Sequence, residues 1–319
     1  MNRWPIFFRW LTIAALIEWL IGRTLIRSAI YMPKTPLMIG AYQALGAIAQ
    51  VAFTLTSLLA LLTLLWIAWQ GRRNIIFSLL LIGSVLLSLA FIFTLPEGWW
   101  LVIDRLAILA IVTVLLGRLW RVGSDRRWQI AVTIPMLAVW LGAMYQLLPA
   151  LAQALQLPAA PAVGQTLFNA GEILAALTPI ALWLVWRPHE PKRVYALAAI
   201  PAILFSIMHL AAPAMTSILS IWSIGLTLYL PWPIYALSLW LGTIVVVSAL
   251  KHDQPIGWAL LLLLAAGYAP QASTQVFISI IALWMLSPEP LRYIAADNYS
   301  TAALTSVNKP SVEIGSLLT

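Results

Sequence analysis

Six ionisable side chains stand inside otherwise apolar stretches of this chain: Glu18, Arg23, Arg27, Asp104, Arg105 and Glu172. Three are acids and three are bases, so together they can form a mutually neutralised interior. A charge within a bilayer costs about 2.5–3.5 kcal/mol on insertion scales, which demands a partner or a polar cavity for each. Arg23 and Arg27 are four residues apart and share a helix face. Glu18 lies well off that face, so their partner is expected on another helix. Glu172 follows Asn169 by one helical turn on the same face, and His209 is the sole histidine within an apolar run. A second polar signal is the stretch from Gly267 through Pro270 to Gln275, which contributes Gln271 and Thr274. Gly and Pro at mid-membrane are where discontinuous helices expose backbone groups to a ligand.

Each of these features has a plainer reading beside the functional one. The Asp104–Arg105 pair sits close to Trp99 and Trp100 and can snorkel to the headgroups. Glu172 can make a single structural interhelical hydrogen bond. Pro270 can simply kink a continuous helix whose freed carbonyls are healed by Ser273 and Thr274.

Several chemistries are excluded. The chain has no cysteine, hence no thiolate metal site, iron–sulfur cluster or disulfide. Three histidines, one of them in an apolar run, cannot supply the axial ligands of a membrane dihaem cytochrome. They do not combine with carboxylates at helical spacing into a metal site either. No Gly-rich phosphate loop is present, nor an Asp-rich pair of the kind that binds diphosphate through magnesium. No lysine is placed within a span to carry a Schiff base. No catalytic residue, metal or cofactor is therefore assigned.

The elements that must position these residues are membrane helices. Charged residues are 9% of 319 and hydrophobic residues 62%, whereas a soluble domain carries roughly 25% charge. The fold class is all-α, a polytopic transmembrane bundle of about ten spans. They are read at 9–30, 39–69, 75–95, 99–118, 128–149, 164–186, 193–212, 214–230, 234–250 and 257–286. Prolines including Pro33, Pro96, Pro149, Pro161, Pro188 and Pro231 fall at the joints. The first apolar run is interrupted by Glu18 and lacks a small-residue cleavage site, so it reads as a retained span rather than a signal peptide. Residues 1–286 form one transmembrane domain and 287–319 a polar, flexible tail. A faint similarity of Trp66–Trp69 to Trp183–Trp186, and of Val139–Gly142 to Leu239–Gly242, suggests parallel repeats over 39–149 and 164–250.

The net charge of +8 comes from clumps at Arg72–Arg73, Arg118 to Arg127 and Arg187 to Arg193. These are orientation signals rather than a nucleic-acid surface. The positive-inside rule puts the N-terminus and these loops in the cytoplasm, consistent with a plasma (inner) membrane. Residues 214–250, broken at Pro231 and Pro233, read either as two short spans or as one span plus a re-entrant piece; the ten-span count leaves Lys251, His252 and Asp253 outside. With that orientation Arg23, Arg27, Asp104, Arg105, Asn169, Glu172 and His209 all fall in the outer halves of their helices. An outward-facing polar pocket is expected, binding or transporting a small polar or amphipathic molecule, including a lipid-linked one. Two other readings compete. One is an outer-leaflet enzyme with Glu172 or Asp104 as acid or base and the arginines holding an anionic headgroup. The other is a non-catalytic subunit burying its polar residues against partner membrane proteins.

Overall fold

The computed structural model describes residues 6–19, 21, 36–70, 74–93, 98–122, 125–158, 161–188, 190–211, 232–252, 254–266 and 273–286. Among them the chain forms ten helices and no strand. They are α1 (Ile6–Ile17), α2 (Pro36–Gln70), α3 (Ile75–Phe93), α4 (Trp99–Val122), α5 (Arg126–Leu155), α6 (Pro161–Trp186), α7 (Lys192–Ala211), α8 (Trp232–His252), α9 (Gln254–Ala266) and α10 (Ser273–Leu286). Five of them, α2, α4, α5, α6 and α8, are long and apolar enough to cross a membrane. Helices are the element such a sequence must adopt, because lipid offers no partner to an open backbone group. Where hydroxyls occur within them, many are satisfied locally: Thr63 donates to the Leu59 carbonyl, Thr113 to that of Leu109, and Thr243 to that of Leu239. Helix α5 is capped at its start by Asp125, whose carboxylate accepts from the Arg127 N–H at 2.9 Å. It ends at Gln156 in the left-handed region, φ 53°. It runs on through Pro149, which the sequence pattern places at a joint.

The contacts between helix ends show which termini share a face of the bundle. The Phe7 ring meets Trp66 at 6.5 Å, so the start of α1 lies beside the end of α2. Ser78 at the start of α3 donates to the Ala68 carbonyl at 2.9 Å. Gln129 in α5 donates to the Leu119 carbonyl of α4, and Trp128 packs on Trp186 at the end of α6. One face therefore gathers Arg9, Arg118, Arg121, Arg126, Arg127 and Arg187, as the clumped charges predict. This is the basic end.

Two expectations are corrected at the C-terminal half. The first concerns Lys251, placed opposite the basic loops by a ten-span count. Its Nζ lies 2.7 Å from Glu190 Oε2, and Trp186 Nε1 donates to Ser248 Oγ nearby. Lys251 is at the basic end. Helix α8 runs antiparallel to α7, with Phe205 against Tyr235 and Ala198 against Ile244. The expected crossing at 214–230 lies outside the described residues. Because α5 runs away from the basic end and α8 towards it, the two Trp-Leu-Gly motifs point in opposite senses. The Trp66 and Trp183 motifs, by contrast, both close helices that run towards it.

The second correction concerns the last span. The stretch 257–286 is not one helix but two, α9 and α10, packed side by side. Helix α9 begins at the basic end directly after α8. A Cβ on Gly257 would come within 2.6 Å of the Leu250 backbone N, so the chain reverses sharply there. Helix α10 returns to the same end: Trp128 Nε1 donates to the Leu286 carbonyl at 3.2 Å, and Trp284 stacks edge-on against Trp66 at 6.0 Å. The Arg118 guanidinium lies 5.5 Å over the Trp284 ring. The described parts of the two helices, 13 and 14 residues long, form a hairpin whose outer ends both lie at the basic end; residues 267–272, which join its halves, lie outside the described residues. From Val276 to Leu286 every side chain except Trp284 is buried, so α10 is the central post of the bundle. It touches α2, α4, α5 and α9. A helix apolar on all sides requires such a position.

Candidate functional site

The antiparallel frame fixes the depth of each candidate residue. At about 1.5 Å per residue, Glu172 lies about 21 Å and Asn169 about 25 Å along α6 from the basic end. On α7, His209 lies in the far half as well. Asp104 and Arg105 lie within two turns of the far end of α4. All five occupy the half predicted to be polar. Arg23, Arg27 and Gln271 lie outside the described residues, and Thr274 belongs to the first turn of α10.

Four of the candidates form two groups, Asp104 and Arg105 on α4 and Asn169 and Glu172 on α6, and α5 packs against both helices; His209 on α7 and Thr274 on α10 belong to neither. On the α4 flank Arg105 Nη1 is 3.5 Å from Asp104 Oδ2. Asp104 is 0% exposed and Arg105 8%. The pair is enclosed by protein, which corrects the snorkelling alternative. Trp99 and Trp100, more than half exposed, are what face outward there. On the α6 flank Gln165 Nε2 donates to Asn169 Oδ1 at 2.7 Å, one turn from the half-buried Glu172. Tyr145 of α5 packs on Phe168 at 5.3 Å. Gly164 and Gly171 also face α5, where a Cβ at either position would make ordinary van der Waals contact.

Nearer the basic end is a feature that sequence reading missed, a cavity of about 250 Å³. Helices α1, α5, α6, α7, α8, α9 and α10 all line it. Its wall is almost wholly apolar, and two of its hydroxyls, Thr178 and Thr243, are occupied by their own helix carbonyls. Three of its lining residues are prolines in helix interiors, Pro135, Pro179 and Pro201. Proline removes a backbone hydrogen bond and bends the helix. All three lie about the same distance from the basic end, counted along their helices at about 1.5 Å per residue. The usable signal was the trio of prolines placed inside apolar runs instead of between them. Along α6, Glu172 continues the stripe of Ala175, Pro179 and Leu182 that faces the cavity. A carboxylate thus stands one turn beyond the apolar lining, on the far side.

Among the described residues no three His, Cys, Asp or Glu side chains gather into a metal-binding group. Comparison with protein-family models, curated proteins and solved structures gives no match.

Proposed function

We propose that this integral membrane protein binds, or carries across the bilayer, an amphipathic molecule with an apolar chain and a small polar head. The observation that carries the reading is the apolar cavity of about 250 Å³ with Glu172 one turn beyond it on the same helix stripe. A chain of methylenes gains about 0.8 kcal/mol per buried CH₂. The head would meet Glu172 and Asn169, with Arg23 and Arg27 as counter-charges from the first span. The protein should co-purify with a lipid or lipid-linked molecule that mass spectrometry identifies after solvent extraction. Ala175→Phe fills the cavity mouth next to Glu172 and is expected to lower that occupancy at least about tenfold, the effect of 1.4 kcal/mol. Unchanged occupancy in a folded Ala175→Phe protein would remove the cavity from consideration.

The orientation proposed with this reading places the basic end in the cytoplasm of a cell bounded by its plasma membrane. The absence of native cysteine makes labelling clean. Single cysteines at positions 124 and 252 are expected to resist an impermeant thiol reagent in intact cells and to react once the membrane is opened. Labelling of both in intact cells would invert the orientation. Labelling of 252 alone would contradict the Lys251–Glu190 arrangement.

A further inference from the structure

On the other flank of α5, three helices turn unsatisfied polar atoms inward at one depth. Asp104 is the outermost member of the α4 stripe formed with Ile108, Ile111, Leu115 and Leu119, all 0% exposed. Thr56 lies on the buried face of α2, between Ala52 and Ala60, and is 0% exposed; α3 packs against both α2 and α4. Ser84 and Ser88 are one turn apart on the buried face of α3. Helices α2, α3 and α4 are sequential antiparallel neighbours. Counting from their joints at about 1.5 Å per residue, Thr56 and Ser88 lie level, and Ser88 and Asp104 lie level. Ser84 is one turn nearer the basic end.

Neither carboxylate oxygen of Asp104 accepts a hydrogen bond among the described residues, and the hydroxyls of Thr56, Ser84 and Ser88 have no partner there either. The hydroxyls are informative because this chain habitually satisfies such groups on the preceding turn. Thr54, Thr63, Thr113, Thr133, Thr178 and Thr243 all donate to the carbonyl four residues back. Thr56, Ser84 and Ser88 have the same option and leave it unused, with their oxygens sealed from bulk solvent. Buried polar groups in folded proteins are paired, with protein or with ordered water.

We propose that Asp104, Thr56, Ser84 and Ser88 surround a buried cluster of ordered water between α2, α3 and α4, a hydrated site separate from the apolar cavity. Four acceptor-bearing side chains offer the two to four partners a buried water requires. The Arg105 guanidinium beside Asp104 already balances its charge, so a neutral occupant fits and an added cation would leave the site positive. A site of this kind gives the outer half of the bundle a hydrogen-bonded step for small polar groups that does not involve Glu172.

Radiolytic hydroxyl footprinting of the full-length protein in nanodiscs tests the assignment, because bound water generates the radical in place. Val85 and Ile108, next to Ser84 and Asp104, are expected to oxidise several-fold faster than Leu115 and Leu119, which are equally buried on α4. Thr56→Val combined with Ser88→Ala should abolish that difference; should the pair not fold, Thr56→Val alone should reduce it. Equal rates at all four residues in the unmodified protein overturn the proposal. So does a melting temperature that rises when sodium replaces choline and loses this response in Asp104→Asn, since that would assign the space to a cation. The outcome is independent of Ala175→Phe, which reads the other flank.

Discussion

Gly257→Ala is expected to destabilise the protein by about 3 kcal/mol, the upper end of the cost of overpacking. Helix propensity alone predicts the opposite sign, because Ala is favoured over Gly in a helix interior by about 1 kcal/mol. The difference lies in what the new methyl meets. At Gly257 it would fall 2.6 Å from the Leu250 backbone N and 2.7 Å from its Cα. Backbone cannot rotate aside as a side-chain tip can, so the α8–α9 reversal itself must open. At Gly83, in α3, an added methyl would meet nothing within 4 Å, and Gly83→Ala should leave stability unchanged or raise it. Thermal unfolding of both variants in one detergent gives the comparison. If Gly257→Ala behaves like Gly83→Ala, α9 does not fold back on α8, and the hairpin it forms with α10 is misplaced.

That hairpin marks where the sequence stopped being legible. The span positions from 39–69 to 193–212, and the one at 234–250, coincide with helices to within several residues at their ends, because length and apolarity are what lipid demands. The beat of arginines located the basic end for the same reason. The stretch 257–286 obeys the same composition rule for a different cause: α9 and α10 are apolar because protein surrounds them, and protein side chains in a bundle are as apolar as lipid. Composition cannot separate the two situations. The Gly267–Pro270 signal pointed to the break, but a kink and a reversal leave the same residues. Lys251 then followed the wrong parity, since its side depended on the path of residues 212–231, which lie outside the described residues.

The candidate site was legible in depth and illegible in partnership. Glu172, Asn169, Asp104 and Arg105 lie in the half where spacing from the basic loops put them. That Asp104 and Glu172 stand on helices flanking α5 follows from packing order, which no local pattern encodes. The cavity is lined by Pro135, Pro179 and Pro201 from three different helices, a convergence that no local pattern encodes. Thr56, Ser84 and Ser88 were unremarkable in sequence because Thr and Ser in membrane helices usually bond their own backbone.

The remaining large effect concerns the charge on Glu172. A half-buried carboxylate at about 21 Å from the basic end, counted at 1.5 Å per residue, is too deep to be held by the headgroups there. Arg23 and Arg27 lie outside the described residues; their four-residue spacing in the sequence is that of a shared helix face. We propose that Glu172 pairs with one of them, directly or through water. Glu172→Gln is then expected to cost roughly 3–5 kcal/mol of stability, because an arginine is left buried without its counter-charge. Arg23→Gln or Arg27→Gln in the same background should recover part of that loss by removing the stranded cation. The double-mutant cycle isolates the coupling from the separate effects of each change, and its sign distinguishes the partner from the bystander. A coupling above about 1 kcal/mol with one arginine identifies the pair and supplies the polar anchor that an amphipathic ligand needs above the cavity. Strict additivity with both would mean that the arginines reach the far headgroups on their own, leaving the cavity to bind apolar chains without a charged anchor.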